Sequence, residues 1–410
     1  MHNHRPVVLI LLIGLLGMMI LFSLFWANLN VTKRNIGGEE FLPVWIAARY
    51  WLIEGTSPYD EKVGLAIQIA RYGHPANVIN GEAKQAYRDP LPLLILISPL
   101  GLIQFPIARA LWMTFLELSL FMVTVLGLRI ANWTRPHLGY FFSFLLFAIL
   151  LYPAFAAIIA GQTNMIGVVF IILTMFAIKQ KADILAGIFM ALSLVKPSVA
   201  ILFVIYTLIW AISKRRKDIV WGCIGSGAII LAISLLFINN WLIQYVRLNL
   251  TNRLPYHSLI DTITNVAPGI KNRLSLLLYI ICTGILVFEW ARGLRQNERG
   301  YFWTAYFTLV LSFFILPIGT LSESTLLIPV FILILRVLEE RWGMFGKALI
   351  WLLLLIFLIG IWLIILRVSA LSDGANLIFP LFELVALWWV RWWILNPPRV
   401  FADELENAIG

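Results

Sequence analysis

Residues 348–366 read ALIWLLLLIFLIGIWLIIL, an uncharged stretch between Lys347 and Arg367. An α-helix rises about 1.5 Å per residue, so about 20 such residues cross the ~30 Å hydrocarbon layer of a bilayer. In water the same helix would leave its apolar surface exposed on all sides, which is unfavourable. The stretch therefore predicts a membrane-spanning helix.

Apolar stretches of this kind recur along the whole chain. Of its 410 residues, 61% are hydrophobic and only 13% are charged, whereas about a quarter of an ordinary soluble domain is charged. We therefore predict an all-α polytopic membrane protein with about twelve spans. The expected spans are residues 7–28, 106–130, 138–159, 163–178, 183–195, 197–213, 217–238, 275–293, 301–318, 323–338, 345–367 and 375–395.

Basic residues in the short loops predict the orientation of these spans. If the spans alternate in direction, the Lys and Arg residues near 129–135, 179–181, 214–217, 292–299 and 341–347 all fall on one side. Cytoplasmic loops carry an excess of Lys and Arg, so that side is predicted to be cytoplasmic in a cell membrane. The net charge of +10 then reflects topology, and because the cations form no single basic face we expect no nucleic-acid partner.

This orientation leaves two long outer loops, 29–105 and 239–274, and a cytoplasmic tail, 396–410. In the first outer loop, residues 41–54 predict an amphipathic helix on the membrane surface. Residues 91–105 are apolar but short and contain Pro92 and Pro99, which favours a re-entrant or juxtamembrane piece.

The spans 183–195 and 197–213 are short and meet at Lys196. A single long helix through Pro197 is the competing interpretation. It would place Lys179 and the 214–217 run on opposite sides, which the charge bias disfavours.

Three acids of the first outer loop are candidates for chemistry. Glu39 and Glu40 precede the predicted surface helix, where an acid either caps the helix or serves a site. Asp89 lies between Arg88 and Pro90, and it is either a second site acid or a partner of Arg88.

Candidate binding residues lie in the outer turns. Lys196 is placed at membrane depth, where a cation is costly and is either functional or snorkels outward. Gln162 and Asn164 follow Gly161 in a polar turn that either caps a helix through Thr163 or binds sugar hydroxyls. No cluster of metal ligands is visible in the sequence, and we expect neither a metal nor another cofactor.

Five motifs in sequence order resemble glycosyltransferase family 87, the polyprenyl-phosphate-mannose-dependent mannosyltransferases of GT-C architecture. They are EEFLPVWIAARYWLIEGTSPYD (39–60), YRDPLPLLILISPLGLI (87–103), GQTNMIGVVF (161–170), LAGIFMALSLVKPSVAILFVIY (185–206) and YHSLIDTI (256–263). The resemblance implies a single GT-C-like membrane domain over residues 1–410, with outer-face juxtamembrane helices in the first outer loop. It also implies that Glu40 occupies the place of the catalytic Asp.

The chain departs from the family pattern at two places. Asp89 stands where the family usually has Tyr, so a second acid joins the expected site. Near LPIGTLSESTLLIPV (316–330) the Trp and His of the family are absent, and Ser322 and Glu323 stand there instead.

The resemblance implies an inverting transfer of a sugar, with mannose expected, from a polyprenyl phosphate to a glycolipid or surface glycan outside the cell. Partners would be this donor, the acceptor and membrane lipids. Glu40 would be the base, with Asp89 in reserve, and Glu40 and Lys196 would meet in one outer cavity. Residues expected to bind the donor phosphate are Lys196, Arg253 and Arg88, and those expected to bind sugar or acceptor are Glu39, Gln162, Asn164, His257, Ser258 and Glu323.

Two functions from other classes stay open. A secondary transporter would need polar groups near the midplane, whereas the polar residues here gather at the outer edge. An O-antigen polymerase or ligase would share the outer loop and the lipid carrier but would rely chiefly on Arg and His, and His257 keeps it open.

Overall fold

The computed structural model describes residues 5–35, 37–133, 138–251, 258–265, 268–318, 321–367 and 372–396. These ranges form helices joined by turns and loops, and they contain no strand. The α-helices are α1 Arg5–Arg34, α2 Phe41–Glu54, α3 Glu61–Tyr72, α4 Leu91–Ile97, α5 Phe105–Ile130, α6 Leu138–Leu150, α7 Tyr152–Ala160, α8 Asn164–Lys179, α9 Asp183–Ser193, α10 Pro197–Ser213, α11 Lys217–Phe237, α12 Trp241–Thr251, α13 Leu259–Thr264, α14 Lys271–Gly293, α15 Glu298–Ile315, α16 Ile328–Arg367 and α17 Ser372–Leu395. Short 3-10 helices lie at Val78–Asn80, Ser98–Leu102, Pro268–Ile270 and Leu321–Leu327.

Six helical segments in the described ranges are long and apolar enough to cross a membrane: Gly14–Arg34, Phe105–Ile130, Lys217–Phe237, Lys271–Gly293, Ser322–Arg367 and Ala375–Leu395. A seventh is added if Gly139–Leu150 and Tyr152–Ala160, which are bent by 52°, form one span. The all-helical, multi-pass class is thereby confirmed, whereas the predicted twelve spans are not. Helices α8, α9 and α10 have only 16, 11 and 17 residues.

Helix α16 reverses direction at Gly343. This residue has φ +50° and ψ −117°, a backbone conformation that glycine adopts without steric cost. A Cβ atom added at Gly346 would collide with the carbonyl oxygen of Leu338. Eight residues of a straight helix would separate these positions by about 12 Å. The chain therefore folds back here, between the predicted spans 323–338 and 345–367.

The chain forms two compact units, each assembled from separate stretches. Unit 1 comprises Met1–Ser119, Ile158–Thr163 and Ile238–Asn252. Unit 2 comprises Leu120–Ala157, Asn164–Phe237 and Arg253–Gly410.

In unit 1, α2 packs against the segment 91–103. A Cβ atom on Gly101 would lie 2.9 Å from the Cβ of Ala48, and the Trp45 indole donates a hydrogen bond to the Ile103 carbonyl at 3.1 Å. Phe41 and Val44 are buried on the same helix. The segment itself is a short α-helix followed by a 3-10 turn, which agrees with the prediction that it is too short for a span. That α2 lies on the membrane surface stays a prediction.

In unit 2, the loops after α8 and α10 lie side by side. The Arg216 guanidinium donates from Nε to the Asp183 carboxylate at 2.9 Å and from Nη2 to the Ile178 carbonyl at 3.3 Å. One straight helix over 183–213 would place its ends about 45 Å apart. The single-helix interpretation through Pro197 is therefore wrong.

Further basic loops meet at the same place. Lys179 Nζ donates to the Ile130 carbonyl at 3.1 Å, and Arg216 lies 3.5 Å from the Glu298 carboxylate. The ends of α5, α8 and α10 and the start of α15 thus gather at one end of unit 2, which we call the basic end. The grouping agrees with the charge pattern, and its cytoplasmic orientation stays a prediction.

Helices α9 and α11 touch through their backbones. A Cβ atom on Gly187 would lie 2.7 Å from the Cys223 nitrogen, and one on Gly222 would lie 2.7 Å from the Ile184 oxygen. Small residues permit such close approach, which is the main source of packing between helices surrounded by lipid.

We expect Gly187→Ala to lower the free energy of unfolding by about 1–3 kcal/mol, the usual effect of overpacking a close contact. Gly225→Ala on α11 is the matched control, because a Cβ atom there meets nothing within 4 Å. It should leave stability unchanged or raise it by up to about 1 kcal/mol, since alanine favours helix over glycine. Thermal unfolding in detergent measures both, and equal melting temperatures would contradict this packing.

Candidate active site

The two adjacent glutamates of the first loop have different surroundings. The Glu39 carboxylate accepts a hydrogen bond from Arg71 at 2.7 Å. Glu40 is the residue before α2, and its exposed side chain makes no capping hydrogen bond to the helix. Its backbone N–H donates to the Ala160 carbonyl at 3.0 Å. The prediction that the Glu40 side chain caps α2 through a hydrogen bond is therefore wrong.

Arg109 anchors the loop that carries these glutamates. Its side chain is fully buried, and its terminal nitrogens donate to the carbonyls of Asn35 at 2.7 Å and Ile159 at 2.8 Å. Cβ atoms on Gly37 and Gly38 would lie 2.6 Å and 2.7 Å from the guanidinium group. The Arg109 side chain thus binds both the segment before α2 and the end of α7.

Sequence reasoning missed Arg109, although a signal was present. The residue stands near the start of the apolar helix α5, and a charged group at membrane depth is costly unless it is paired. Arg109 holds the backbone that leads into Glu40.

The turn after α7 packs directly on the start of α2. Gly161 has φ +73°, and a Cβ atom there would lie 2.7 Å from the Cβ of Phe41. Trp112 donates from its indole nitrogen to the Gly161 carbonyl at 3.0 Å and stacks on Phe41, with ring centroids 5.4 Å apart. Only glycine fits this position without strain. Gln162, the next residue, is buried.

Asp89 lies in a segment whose backbone is clamped by side chains. Hydrogen bonds reach three consecutive carbonyls, from Asn249 to Arg88 at 3.4 Å, from Tyr59 to Asp89 at 2.9 Å and from Tyr87 to Pro90 at 3.0 Å. We call this set the Asp89 clamp. The Asp89 carboxylate accepts a hydrogen bond from Thr163 at 3.4 Å, while the Arg88 guanidinium donates to the Lys84 carbonyl at 3.2 Å.

The tyrosines of the Asp89 clamp remain protonated. Burial raises the pKa of Tyr59 and of Tyr87, and the nearby Asp89 carboxylate raises each pKa further. Neutral phenols donate hydrogen bonds and do not accept protons in turnover. The two phenols therefore serve as hydrogen-bond donors to the backbone around Asp89.

One short turn brings the two candidate acids into the same part of unit 1. Ala160 accepts from the Glu40 backbone, and Thr163 donates to Asp89. Three residues of extended chain reach at most about 11 Å, so residues 160 and 163 are no further apart than that.

A second group of predicted site residues meets in unit 2, at the start of α8. Asn164 donates from its amide to the Glu323 carboxylate at 2.6 Å. A Cβ atom on Gly167 would lie 3.1 Å from the Cβ of Lys196, which is buried where α9 ends and α10 begins. Residues 164 and 167 are neighbours on one helix face, so Asn164, Lys196 and Glu323 gather there.

The remaining predicted residues are distributed as follows. Ser258 begins α13 and forms a capping box with Asp261, so its hydroxyl has a structural partner. Arg253 and His257 lie outside the described residues.

Glu40 belongs to unit 1 and Lys196 to unit 2, and their meeting in one cavity stays a prediction. Nowhere in the described ranges do three His, Cys, Asp or Glu side chains group as metal ligands would.

Comparison with known families decides the class of protein. The sequence profile of glycosyltransferase family 87 matches residues 87–317, more than half of the chain. The chain belongs to glycosyltransferase family 87. Among curated proteins and among solved structures, no match is found.

Family 87 membership makes the chain a membrane glycosyltransferase, which confirms the family predicted from the motifs. It favours a transferase over the transporter that the sequence alone left open. The matched region begins at Tyr87, so it contains Asp89, Gln162, Asn164 and Lys196, whereas Glu40 precedes it. The equivalence of Glu40 to the family's catalytic acid therefore stays a prediction.

We expect Gly38→Ala to loosen the Arg109 anchor, because the added Cβ would press on the guanidinium group. Gly55→Ala is the matched control, because both glycines have positive φ, +82° at Gly38 and +65° at Gly55. A Cβ atom at Gly55, however, meets nothing within 4 Å. Both variants lose about 1–2 kcal/mol from backbone strain, and only Gly38→Ala also disturbs the anchor. Hydrogen exchange, measured by mass spectrometry, should accelerate at residues 35–41 and 158–163 in Gly38→Ala alone. Equal exchange rates in Gly38→Ala and Gly55→Ala would argue against the anchor.

Proposed function

We propose that this family 87 enzyme transfers a sugar, with mannose as the expected one, from a polyprenyl-phosphate donor to a hydroxyl of a lipid-linked or surface glycan. The proposed reaction inverts the anomeric configuration, takes place on the extracytoplasmic side of the cell membrane and uses a GT-C-type helix bundle. The observation that supports the proposal is that two acids contact the turn that follows α7, Glu40 through its backbone N–H and Asp89 through its carboxylate.

The chemistry of such a transfer requires one well-placed base. A carboxylate takes the proton of the acceptor hydroxyl while its oxygen attacks the anomeric carbon opposite the departing phosphate. Glu40 is the proposed base. Its backbone is held by the Ala160 carbonyl and by the Arg109 anchor, and its neighbour Glu39 is engaged by Arg71. Asp89 is the second acid, held by its clamp.

The departing lipid phosphate requires positive charge. Phosphate accepts hydrogen bonds and carries negative charge, so a cation in a partly dehydrated site stabilises the charge that develops as the bond breaks. Lys196 is the proposed ligand, because burial at a helix start provides such surroundings. Arg88 and Arg253 are proposed as further phosphate ligands.

Amide and carboxylate side chains suit the sugar hydroxyls, which both donate and accept hydrogen bonds. The hydrogen-bonded pair of Asn164 and Glu323 offers both kinds of group. The full set proposed for sugar or acceptor binding is Glu39, Gln162, Asn164, His257, Ser258 and Glu323.

We expect Glu40→Gln to lower the rate of transfer by about 10²–10⁴-fold, the usual contribution of a general base. Purified enzyme would be supplied with labelled polyprenyl-phosphate mannose and membrane glycolipids, and released polyprenyl phosphate would be measured. Glu54→Gln is the matched control, because it removes a carboxylate at the other end of α2 whose exposed ion pair with Lys62 contributes little to stability.

The Asp89→Asn variant distinguishes which of the two acids, Glu40 or Asp89, is the base. Wild-type turnover in Glu40→Gln together with a large loss in Asp89→Asn would remove Glu40 as the base and assign that role to Asp89. Failure of wild-type enzyme to release polyprenyl phosphate from any sugar donor would refute the donor class.

We expect Lys196→Ala to raise the KM for the lipid-phosphate donor by about tenfold or more, since a charged hydrogen bond to phosphate is worth about 1.5–3 kcal/mol. Lys214→Ala is the matched control, because Lys196 and Lys214 flank the two ends of α10 and Lys214 is exposed. Steady-state kinetics at varied donor concentration give both values. Unchanged donor KM in a folded Lys196→Ala enzyme would dismiss the phosphate role.

A further inference from the structure

We propose that a cavity at the basic end of unit 2 binds the phosphate headgroup of an anionic phospholipid. The cavity has a volume of about 590 Å³ and lies between the turn after α14 and the last turns of α17. Arg292, Gln296, Asn297, Trp388, Arg391 and Trp392 are among its lining residues. The proposed donor chemistry uses none of them.

The cavity wall carries an excess of positive charge. Arg391 makes a two-pronged ion pair with Glu289, at 2.9 Å and 2.6 Å, and stacks over the Trp303 ring at 4.5 Å. Arg292 lies 3.9 Å from the same carboxylate and its side chain is half exposed. Two guanidinium groups thus share one buried acid, Glu289, and none of the described residues that line the cavity carries a carboxylate. One bound phosphodiester, with a single negative charge, would balance the excess.

Amide groups beside the arginines supply hydrogen-bond donors. The Asn297 side-chain oxygen accepts from the Gly300 backbone at 3.3 Å, so its amide nitrogen is the part that offers donors. Gln296 stands next to it in the lining. Phosphate oxygens only accept, so a wall of guanidinium and amide groups fits phosphate better than a sugar or a cation.

The surrounding tryptophans favour a lipid as the source of the phosphate. Trp388 and Trp392 are 46% and 68% exposed, near the end of a helix apolar enough to cross a membrane. Tryptophan is enriched at the level of lipid headgroups, and basic pockets between membrane helices bind anionic headgroups there. Free inorganic phosphate would gain nothing from these apolar rings.

This lipid is distinct from the proposed sugar donor. Helix α8 runs from Asn164, beside Lys196 and Glu323, to Lys179 at the basic end. The cavity adjoins the start of α15, where Glu298 pairs with Arg216. The two sites therefore lie at opposite ends of α8 within unit 2.

The test uses the full-length protein in phosphatidylcholine nanodiscs, with native mass spectrometry to count retained phosphatidylglycerol. We expect wild type to retain phosphatidylglycerol in preference to phosphatidylcholine. Arg292→Gln should bind it about fivefold more weakly, as expected when one basic residue near an anionic lipid is lost. Lys347→Gln is the matched control, since Lys347 is exposed and lies outside the cavity lining.

Three results would overturn the proposal. They are no preference for phosphatidylglycerol in wild type, equal losses of phosphatidylglycerol binding in Arg292→Gln and Lys347→Gln, or thermal stabilisation of the protein by inorganic phosphate alone that equals its stabilisation by phosphatidylglycerol. The first result denies a specific site, the second indicates general surface charge, and the third assigns the cavity to free phosphate. Lipid retention is measured without a sugar donor, so failure of the proposed glycosyl transfer would leave this result interpretable.

Discussion

A buried guanidinium group holds together the part of unit 1 that carries the candidate acids. Arg109 donates to the carbonyls of Asn35 and Ile159 and has no exposed surface. Leaving a buried charge without its partners is strongly unfavourable, so the two segments cannot separate without a large loss of stability. The start of α2 and the turn at Gly161 are therefore fixed relative to each other, and Glu40 is fixed with them.

The two acids depend on different supports. Glu40 is positioned through its own backbone, while its exposed carboxylate extends from the start of α2. Asp89 is held by side chains that bind the carbonyls around it, two of them from neutral tyrosines. Hydrogen bonds to the backbone fix the position of each acid whatever the protonation state of its carboxylate.

Unit 2 separates its charges along the helix axes. Arg216 joins the ends of neighbouring helices at the basic end through Asp183 and Glu298, whereas Asn164, Lys196 and Glu323 gather at the start of α8. The loop charges predicted the first grouping, because Lys and Arg in short loops follow membrane topology. Gly187 and Gly222 bring α9 and α11 into backbone contact between these ends.

The sequence by itself determined the helical class, the reversal between residues 338 and 345, the break at Lys196 and the family. Each of these follows from composition, polar interruptions or motifs that are local in the chain. The bounds of α8, α9 and α10 were predicted to within two residues, because Lys179, Lys196 and Lys214 interrupt the apolar sequence. The number of helices long enough to span a membrane was less predictable. Only the tertiary structure decided the roles of Arg109, Tyr59 and Tyr87, because Arg109 binds carbonyls 74 and 50 residues away and Tyr59 binds one 30 residues away. Lipid is as apolar as a protein interior, so a membrane sequence carries little periodic signal of which side chains face inward and meet such partners.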